Sequence, residues 1–384
     1  MAGTTQSRAG AVLGIDLAAI VANWRLLRAR AGGAECAAVV KADAYGLGAA
    51  QVGPALAAAG CRVFFVATLD EGIALRAGFA EAARSGEGVA EEVPPAAIFV
   101  LNGAAPGYET ELLQHGLIPV LNSLGALEAW GMLSDMLGVR LPAALHVDTG
   151  MSRLGLPPAE LATLAAEPER LDGVTLTLVI SHPACADDPS HELNRRQRDA
   201  LVAARSHLPT APASFANSSA IFLGDDYVFD MVRPGAALYG VAPVPGTPNP
   251  MNPVVRLDAR ILQVREIDSG MTVGYGASHR TDRRSRIATV GVGYADGLPR
   301  SLGNRGSGYI GDHRVPLVGR VSMDLITFDV TDVAEDLARP GATIELLGAR
   351  QSVDDVAAAA GTIGYEILTS LGTRYARRYD SAGL

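Results

Sequence analysis

The chain has 384 residues, 48% of them hydrophobic and 5% aromatic, with a formal net charge of −9. Its length exceeds one ordinary core and points to two domains, while the acidic balance argues against nucleic acid or an anionic membrane as partner. The three cysteines, Cys36, Cys61 and Cys185, form no metal-binding spacing and are too few and odd in number for a disulfide scaffold.

The first residues, Met1 to Gly10, are polar, and the next apolar stretch is broken by Asp16. Neither a signal peptide nor a transmembrane span is expected, and a cytoplasmic chain follows. Asp16 is placed to cap a helix over 17–31. From there to about residue 245, eight short apolar runs alternate with helix-length amphipathic segments. The runs cover 37–41, 62–66, 97–101, 117–121, 143–148, 174–181, 213–217 and 228–233. The helices between them include 68–78, 107–115, 158–167 and 191–207. This alternation predicts an α/β fold, a (β/α)8 TIM-type barrel, with an open doubly wound sheet as the alternative because periodicity cannot see closure.

Five prolines crowd the thirteen residues from Val241 to Pro253, which forbids regular helix and reads as a linker. Beyond it the pattern turns strand-like over 254–266, 286–292, 314–318, 324–330 and 343–347, with one helical segment at 354–360. The expected organisation is a barrel domain over 1–245 and a mainly β domain over 246–384.

Against 31 arginines the chain carries a single lysine, Lys41. A solvated cation can be either residue, but a primary amine that must condense with a carbonyl cannot become guanidinium. Lys41 follows an apolar run and precedes a glycine-rich loop, as a catalytic group at a buried strand's end would. In a barrel, function gathers on the loops after the strands. The runs that follow end in His146, Asp148 and Arg153; in Ser181 and His182; in Asn217, Ser218 and Ser219; and in Arg233, Gly235 and Ala236. Hydroxyls of Ser218 or Ser219 and backbone N–H groups near Gly235 could converge on one dianion. A lysine facing a phosphate cradle suggests pyridoxal 5′-phosphate.

Seven blocks make the pattern specific. They are Ala38-Val-Val-Lys-Ala-Asp-Ala-Tyr-Gly-Leu-Gly48, His146-Val-Asp-Thr-Gly-Met-Ser-Arg-Leu-Gly155, Ala216-Asn-Ser218 and Val232-Arg-Pro-Gly235, then Val273-Gly-Tyr-Gly276, Val292-Gly-Tyr-Ala-Asp-Gly-Leu-Pro-Arg300 and Val318-Gly-Arg-Val-Ser-Met-Asp324. In these blocks, over nearly its whole length, the chain resembles the alanine racemase family of fold-type III pyridoxal-phosphate enzymes. The resemblance implies an isomerase that interconverts L- and D-alanine and supplies D-alanine for peptidoglycan. It also implies a homodimer. Lys41 would bind the cofactor and serve as acid or base on one face of Cα, and Tyr275 of the partner subunit would serve on the other. Tyr45, Ser218 and the backbone amides of Gly235 and Ala236 would hold the phosphate. Arg233 would face the pyridine nitrogen, His182 would pack near the ring, and Arg153 would contact the phenolic oxygen and the substrate. The Met323 amide, beside Asp324, would hold the substrate carboxylate, and Tyr294, Arg300 and Arg320 would line the corridor that admits it.

Two positions depart from the family. A lysine that many members carry two residues before the Asp148 position, carbamylated so that its charge orients the arginine, is His146 here. The position before Arg374, often a phosphate-binding tyrosine, is Thr373. Other readings considered are a broad-specificity racemase, a fold-type III amino-acid decarboxylase and a non-catalytic cofactor carrier. The Gly-Tyr-Gly and Gly-Tyr-Ala-Asp-Gly blocks argue against the decarboxylase, and the β domain argues against the carrier.

Overall fold

A computed structural model describes residues 8–85 and 96–381; the polar start of the chain up to Ser7 lies outside them. Two compact units emerge. One gathers the described residues up to Ala19, Tyr239–Val241 and the chain from Asn252 onward; the other holds Ile20–Leu238 and Ala242–Met251.

The second of these is the expected barrel. Its strands, all parallel, are β2 (Glu35–Cys36), β3 (Ala38–Val39), β4 (Val63–Val66), β5 (Ala97–Val100), β6 (Ile118–Leu121), β7 (Leu141–His146), β8 (Val174–Ile180), β9 (Ala213–Ser214) and β10 (Met231–Val232). Neighbours run in chain order from β3 to β10, and β10 then pairs with β2. Since β2 and β3 are two pieces of one segment, the nine-stranded sheet nearly closes on itself. Backbone bonds Ala37 N to Val232 O (3.0 Å) and Val39 N to Pro234 O (2.9 Å) carry the seam. The strands read as unbroken apolar runs because both of their faces are covered. Inside, Phe65 stacks on Phe99 with ring centres 4.9 Å apart.

The helices of this unit are α1 (Leu17–Arg30), α2 (Lys41–Gly46, a single turn described below), α3 (Ala49–Ala58), α4 (Leu69–Ser85), α5 (Glu109–Gln114), α6 (Leu124–Leu137), α7 (Pro158–Ala166) and α8 (Leu193–Arg205), with the first residues of α1 falling in the other unit. Asp16 Oδ1 accepts from Ala19 N at 2.8 Å, the expected cap of α1.

The other unit is mainly β. Its central strand β11 (Val255–Ile267) pairs antiparallel with β1 (Ala11–Asp16), with β14 (Ser285–Val290) and with β18 (Thr343–Leu347). The hairpin of β12 (Thr272–Val273) and β13 (His279–Arg280) stands apart from this sheet. The strands β15 (Ser307–Ile310), β16 (His313–Pro316), β17 (Ile326–Asp329) and β19 (Ala376–Asp380) complete it, and two helices, α9 (Val353–Ala360) and α10 (Gly364–Ser370), precede β19. Strand β1 also pairs parallel with β19, Val12 opposite Ala376, so the start and end of the chain share one sheet. The proline-rich segment forms neither helix nor strand. Among the described residues no helix is long and apolar enough to cross a membrane.

Asp16→Ala should remove the α1 cap and cost about 1 kcal/mol of stability. Urea unfolding checks this as a lowered midpoint with an unchanged slope.

Candidate active site

Lys41 follows β3 after one residue, Val40, and opens α2, a turn of the wrong hand. Ala42, Asp43, Ala44 and Tyr45 have φ of 53°, 53°, 54° and 56° with positive ψ, four consecutive residues in the left-handed region without a glycine. Each such residue costs about 1–2 kcal/mol relative to the right-handed form. The turn is strapped from several sides. Ala44 N donates to Val40 O (2.9 Å) and Gly48 N to Asp43 O (2.8 Å), while the Asp43 carboxylate accepts from Ala49 N (2.7 Å). Glu71, in the first turn of α4, accepts from Ala42 N through Oε1 and from Ala67 N through Oε2, both at 2.7 Å. The reversal buries Tyr45.

The hydroxyl of Tyr45 lies so close to Gly235 that a Cβ built on the glycine would sit 2.3 Å from it. Only glycine fits there. Ser218 Oγ accepts from the amides of Gly235 (3.0 Å) and Ala237 (3.2 Å), which leaves its own proton free to donate to a ligand. Tyr45 from the turn after β3, Ser218 after β9 and Gly235 after β10 thus meet in one small polar cradle, with Ala236 next to Gly235 in the chain.

Arg233 is 4% exposed. One terminal nitrogen donates to Ser214 Oγ and the other to Ser181 O (2.7 Å), and the guanidinium stands 5.8 Å from the centre of the Phe65 ring. Burial lowers it to about 10, so it stays cationic at neutral pH. The Lys41 amine is lowered by burial, then by Arg153, and also by Arg233, with Glu71 acting the other way. His182 is held well below the usual imidazole range by burial and by Arg233, Arg153 and Lys41, and it is neutral. Gln197 fixes its backbone, donating to His182 O (3.0 Å) and accepting from Ala184 N (2.8 Å).

His146 settles what stands at the first departure from the family. Asn122 donates its amide to Leu101 O (2.9 Å) and Val120 O (3.0 Å), so its oxygen faces His146 Nδ1 at 2.8 Å. An oxygen there requires the proton on Nδ1 and leaves Nε2 as an acceptor. Burial, then Arg233, push His146 down to about 4 despite Asp148, so position 146 carries no charge at neutral pH. Asp148 spends its carboxylate on the amides of Gly150 and Met151 (2.9 Å each) and Ser152 (3.1 Å), shaping the loop that carries Arg153. Arg153 itself is exposed, with no hydrogen-bond or ion-pair partner among the described residues.

The remaining candidates belong to the β unit. Tyr275 is 72% exposed, in a turn between Gly274 and Gly276. A Cβ on Gly276 would lie 3.0 Å from Arg320 Cζ, so the guanidinium rests on the tyrosine's own turn. Met323 is 54% exposed, and Tyr294, Arg300 and Asp324 are exposed as well. Tyr294 N donates to Ser322 O (3.0 Å) and Ala295 N to Met323 O (2.9 Å), which joins the Tyr294 and Met323 segments. Arg374 ties them further, chelating the buried Asp296 (2.6 Å) and reaching Asp324 (2.7 Å). Thr373, the second departure, precedes this arginine.

Sequence reasoning missed Glu71, Asn122, Gln197 and the ion pairs of Arg374. Thr68 and Glu71 have the spacing of a capping box, a signal for a helix start, but nothing local indicates that the same carboxylate reaches Ala42.

An imidazole that stays neutral to about 4 when folded but titrates near 6.5 when unfolded makes the unfolded chain bind the extra proton between those values. Stability should therefore fall as pH drops from 6.5 towards 4, by about 3 kcal/mol from this group. His146→Asn, whose amide can still donate to Asn122, should flatten that part of the curve. Urea unfolding at several pH values measures it, and an unchanged slope would place the acid sensitivity elsewhere.

Comparison with known proteins agrees with this geometry. Residues 15–243 match the family "Alanine racemase, N-terminal domain" and residues 254–379 match "Alanine racemase, C-terminal domain". The chain is 54% identical over 376 residues to the alanine racemase of Rhodospirillum rubrum, covering 97% of each protein. It is 52% identical to that of Acidiphilium cryptum, covering 95% of this chain and 97% of the relative. The crystal structure of alanine racemase from Bartonella henselae, which holds covalently bound pyridoxal phosphate, superposes with a TM-score of 0.88 at 44% identity, covering 97% of this chain and 100% of that one. With both halves matched, a barrel carrying its single lysine at the first strand's end, and relatives of this identity spanning the whole length, the chain belongs to the alanine racemase family.

Proposed function

We propose that the chain interconverts L- and D-alanine with pyridoxal 5′-phosphate, using Lys41 on one face of the substrate Cα and Tyr275 of the partner subunit on the other. The observation that carries this reading is the donor set of the barrel mouth: a lone amine, Arg153 and Arg233 gathered with the Ser218 hydroxyl and a cradle at Gly235. Such a set fits an anionic aldehyde cofactor. When bound, the cofactor conjugates the substrate nitrogen to an electron-withdrawing ring, which acidifies the Cα proton.

The protein's residues do the rest. Tyr45, Ser218 and the amides of Gly235 and Ala236 hold the phosphate. Arg233, cationic and pinned by Ser214 and Ser181, has only donors to present. Facing the pyridine nitrogen, it disfavours a proton there, which restrains charge delocalisation and side reactions such as transamination. His182, neutral, packs beside the ring. Arg153 serves the cofactor's phenolic oxygen and the substrate, carried by the loop that the Asp148 carboxylate shapes.

Racemisation removes a proton from one face of a planar carbon and returns one to the other, so two groups on opposite sides are required. The Lys41 amine, lowered by its burial and by neighbouring cations, suits one side. Tyr275 suits the other; it is the most open aromatic side chain on the β unit, and the Arg320 guanidinium rests against its turn. The Met323 amide, beside Asp324, holds the substrate carboxylate, and Tyr294, Arg300 and Arg320 line its corridor. The active unit is then a homodimer whose barrel, within 1–245, is completed by the partner's 246–384 domain. The cellular role is supply of D-alanine for peptidoglycan in the cytoplasm.

In D2O, L-alanine should exchange its Cα proton and lose optical rotation without release of CO2. Borohydride should trap cofactor at Lys41 alone; label anywhere else refutes the assignment. Lys41→Ala and Tyr275→Phe should each be slowed by about 10²–10⁴-fold or more. If the sites are composite, mixing the two variants under conditions of subunit exchange forms hybrid dimers with one intact site. About a quarter of the wild-type rate should return. No recovery would place Tyr275 in its own chain's site.

A further inference from the structure

Glu71 touches neither a proposed cofactor ligand nor a substrate position, yet it is bound to the catalytic turn. Its Oε1 accepts from the amide of Ala42, the residue after Lys41. Its Oε2 accepts from Ala67, and at 3.4 Å from Thr68, in the loop that follows β4. One carboxylate thus bridges the ends of two adjacent barrel strands. Every contact it makes is to a backbone N–H, and it forms no ion pair among the described residues. Its charge is therefore not spent on an arginine, and it acts on Lys41.

We propose that Glu71 is a positioning residue for Lys41: it locks the turn in its left-handed form and keeps a fixed negative charge beside the amine. This rests on Lys41 being the group that binds cofactor and moves the proton. Four left-handed residues are unfavourable by themselves, and a carboxylate accepting from the first of them opposes a return to the ordinary hand. The charge has a separate effect. The groups facing Lys41 are Arg153 from the loop after β7, Arg233 after β10, the neutral His182 after β8, and Glu71 from α4. Two of the four are cations that favour loss of the lysine proton, and Glu71 alone opposes them. Asp43, on the lysine's own turn, is occupied with Ala49 N.

The test uses the holoenzyme with Glu71→Gln, Glu71→Ala and Glu71→Asp. Two quantities are followed against pH: the acidic limb of kcat/KM for L-alanine, and the midpoint at which the visible absorption of the lysine-bound cofactor changes. Removing the charge in the Gln and Ala variants should move both to lower pH by about one unit. The Asp variant keeps the charge on a shorter arm and should leave both midpoints near wild type while lowering kcat. A merely structural role would lower stability and rate with every midpoint unmoved, and that result overturns the proposal. So does a shift in Asp as large as in Gln. Should the Gln variant fail to fold, whichever neutral variant does fold must show the shift. Failure of the function itself reads differently, since the wild-type enzyme would then neither racemise alanine nor carry borohydride-trapped cofactor on Lys41.

Discussion

The barrel mouth gathers positive charge, part of it buried, and the rest of the site answers to that constraint. Lys41, Arg153 and Arg233 lie close enough to depress one another's neighbours, and burial adds to the effect. A fully buried guanidinium is tolerated because Ser214 and the Ser181 carbonyl engage it and an aromatic ring lies nearby. Both histidines in this field give up their charge instead of adding to it. Charge at the mouth, with burial, thus lowers the proton affinity of the Lys41 amine.

The family's usual negative charge two residues before the Asp148 position has no counterpart here. Asn122 fixes the tautomer of His146, and burial leaves the ring uncharged at neutral pH. Asp148 meanwhile builds the Arg153 loop through backbone amides rather than by pairing with the arginine.

The barrel was legible because its strands are runs of buried apolar residues and several of them end in a polar cluster. Observed strands fall within a few residues of those runs. Closure was not legible, since it rests on pairing between β2 and β10, far apart in sequence. Nor was the turn after Lys41: Ala, Asp, Ala and Tyr are not residues whose presence signals positive φ. Its hydrogen bonds run to Glu71, Asp43 and surrounding backbone. Helix α6 escaped notice for a different reason, because Met132 and Met136 lie exposed on it and blur the apolar stripe. In the β unit, the motif residues were found by their blocks, but the Arg374 chelate that joins them depends on side chains brought together from 296, 324 and 374.

Strand β1 has an implication for how the molecule is made. It precedes the whole barrel in the chain, yet both of its partners, β11 and β19, follow the entire barrel, β19 within the last residues described. Throughout synthesis of the barrel, this apolar segment has no hydrogen-bonding neighbour of its own. The barrel strands can pair with one another before β11 and β19 are made, but the sheet around β1 cannot form so early. Pairing β1 with β19 joins segments on opposite sides of the barrel in sequence, a long-range contact of the kind that sets the pace of folding.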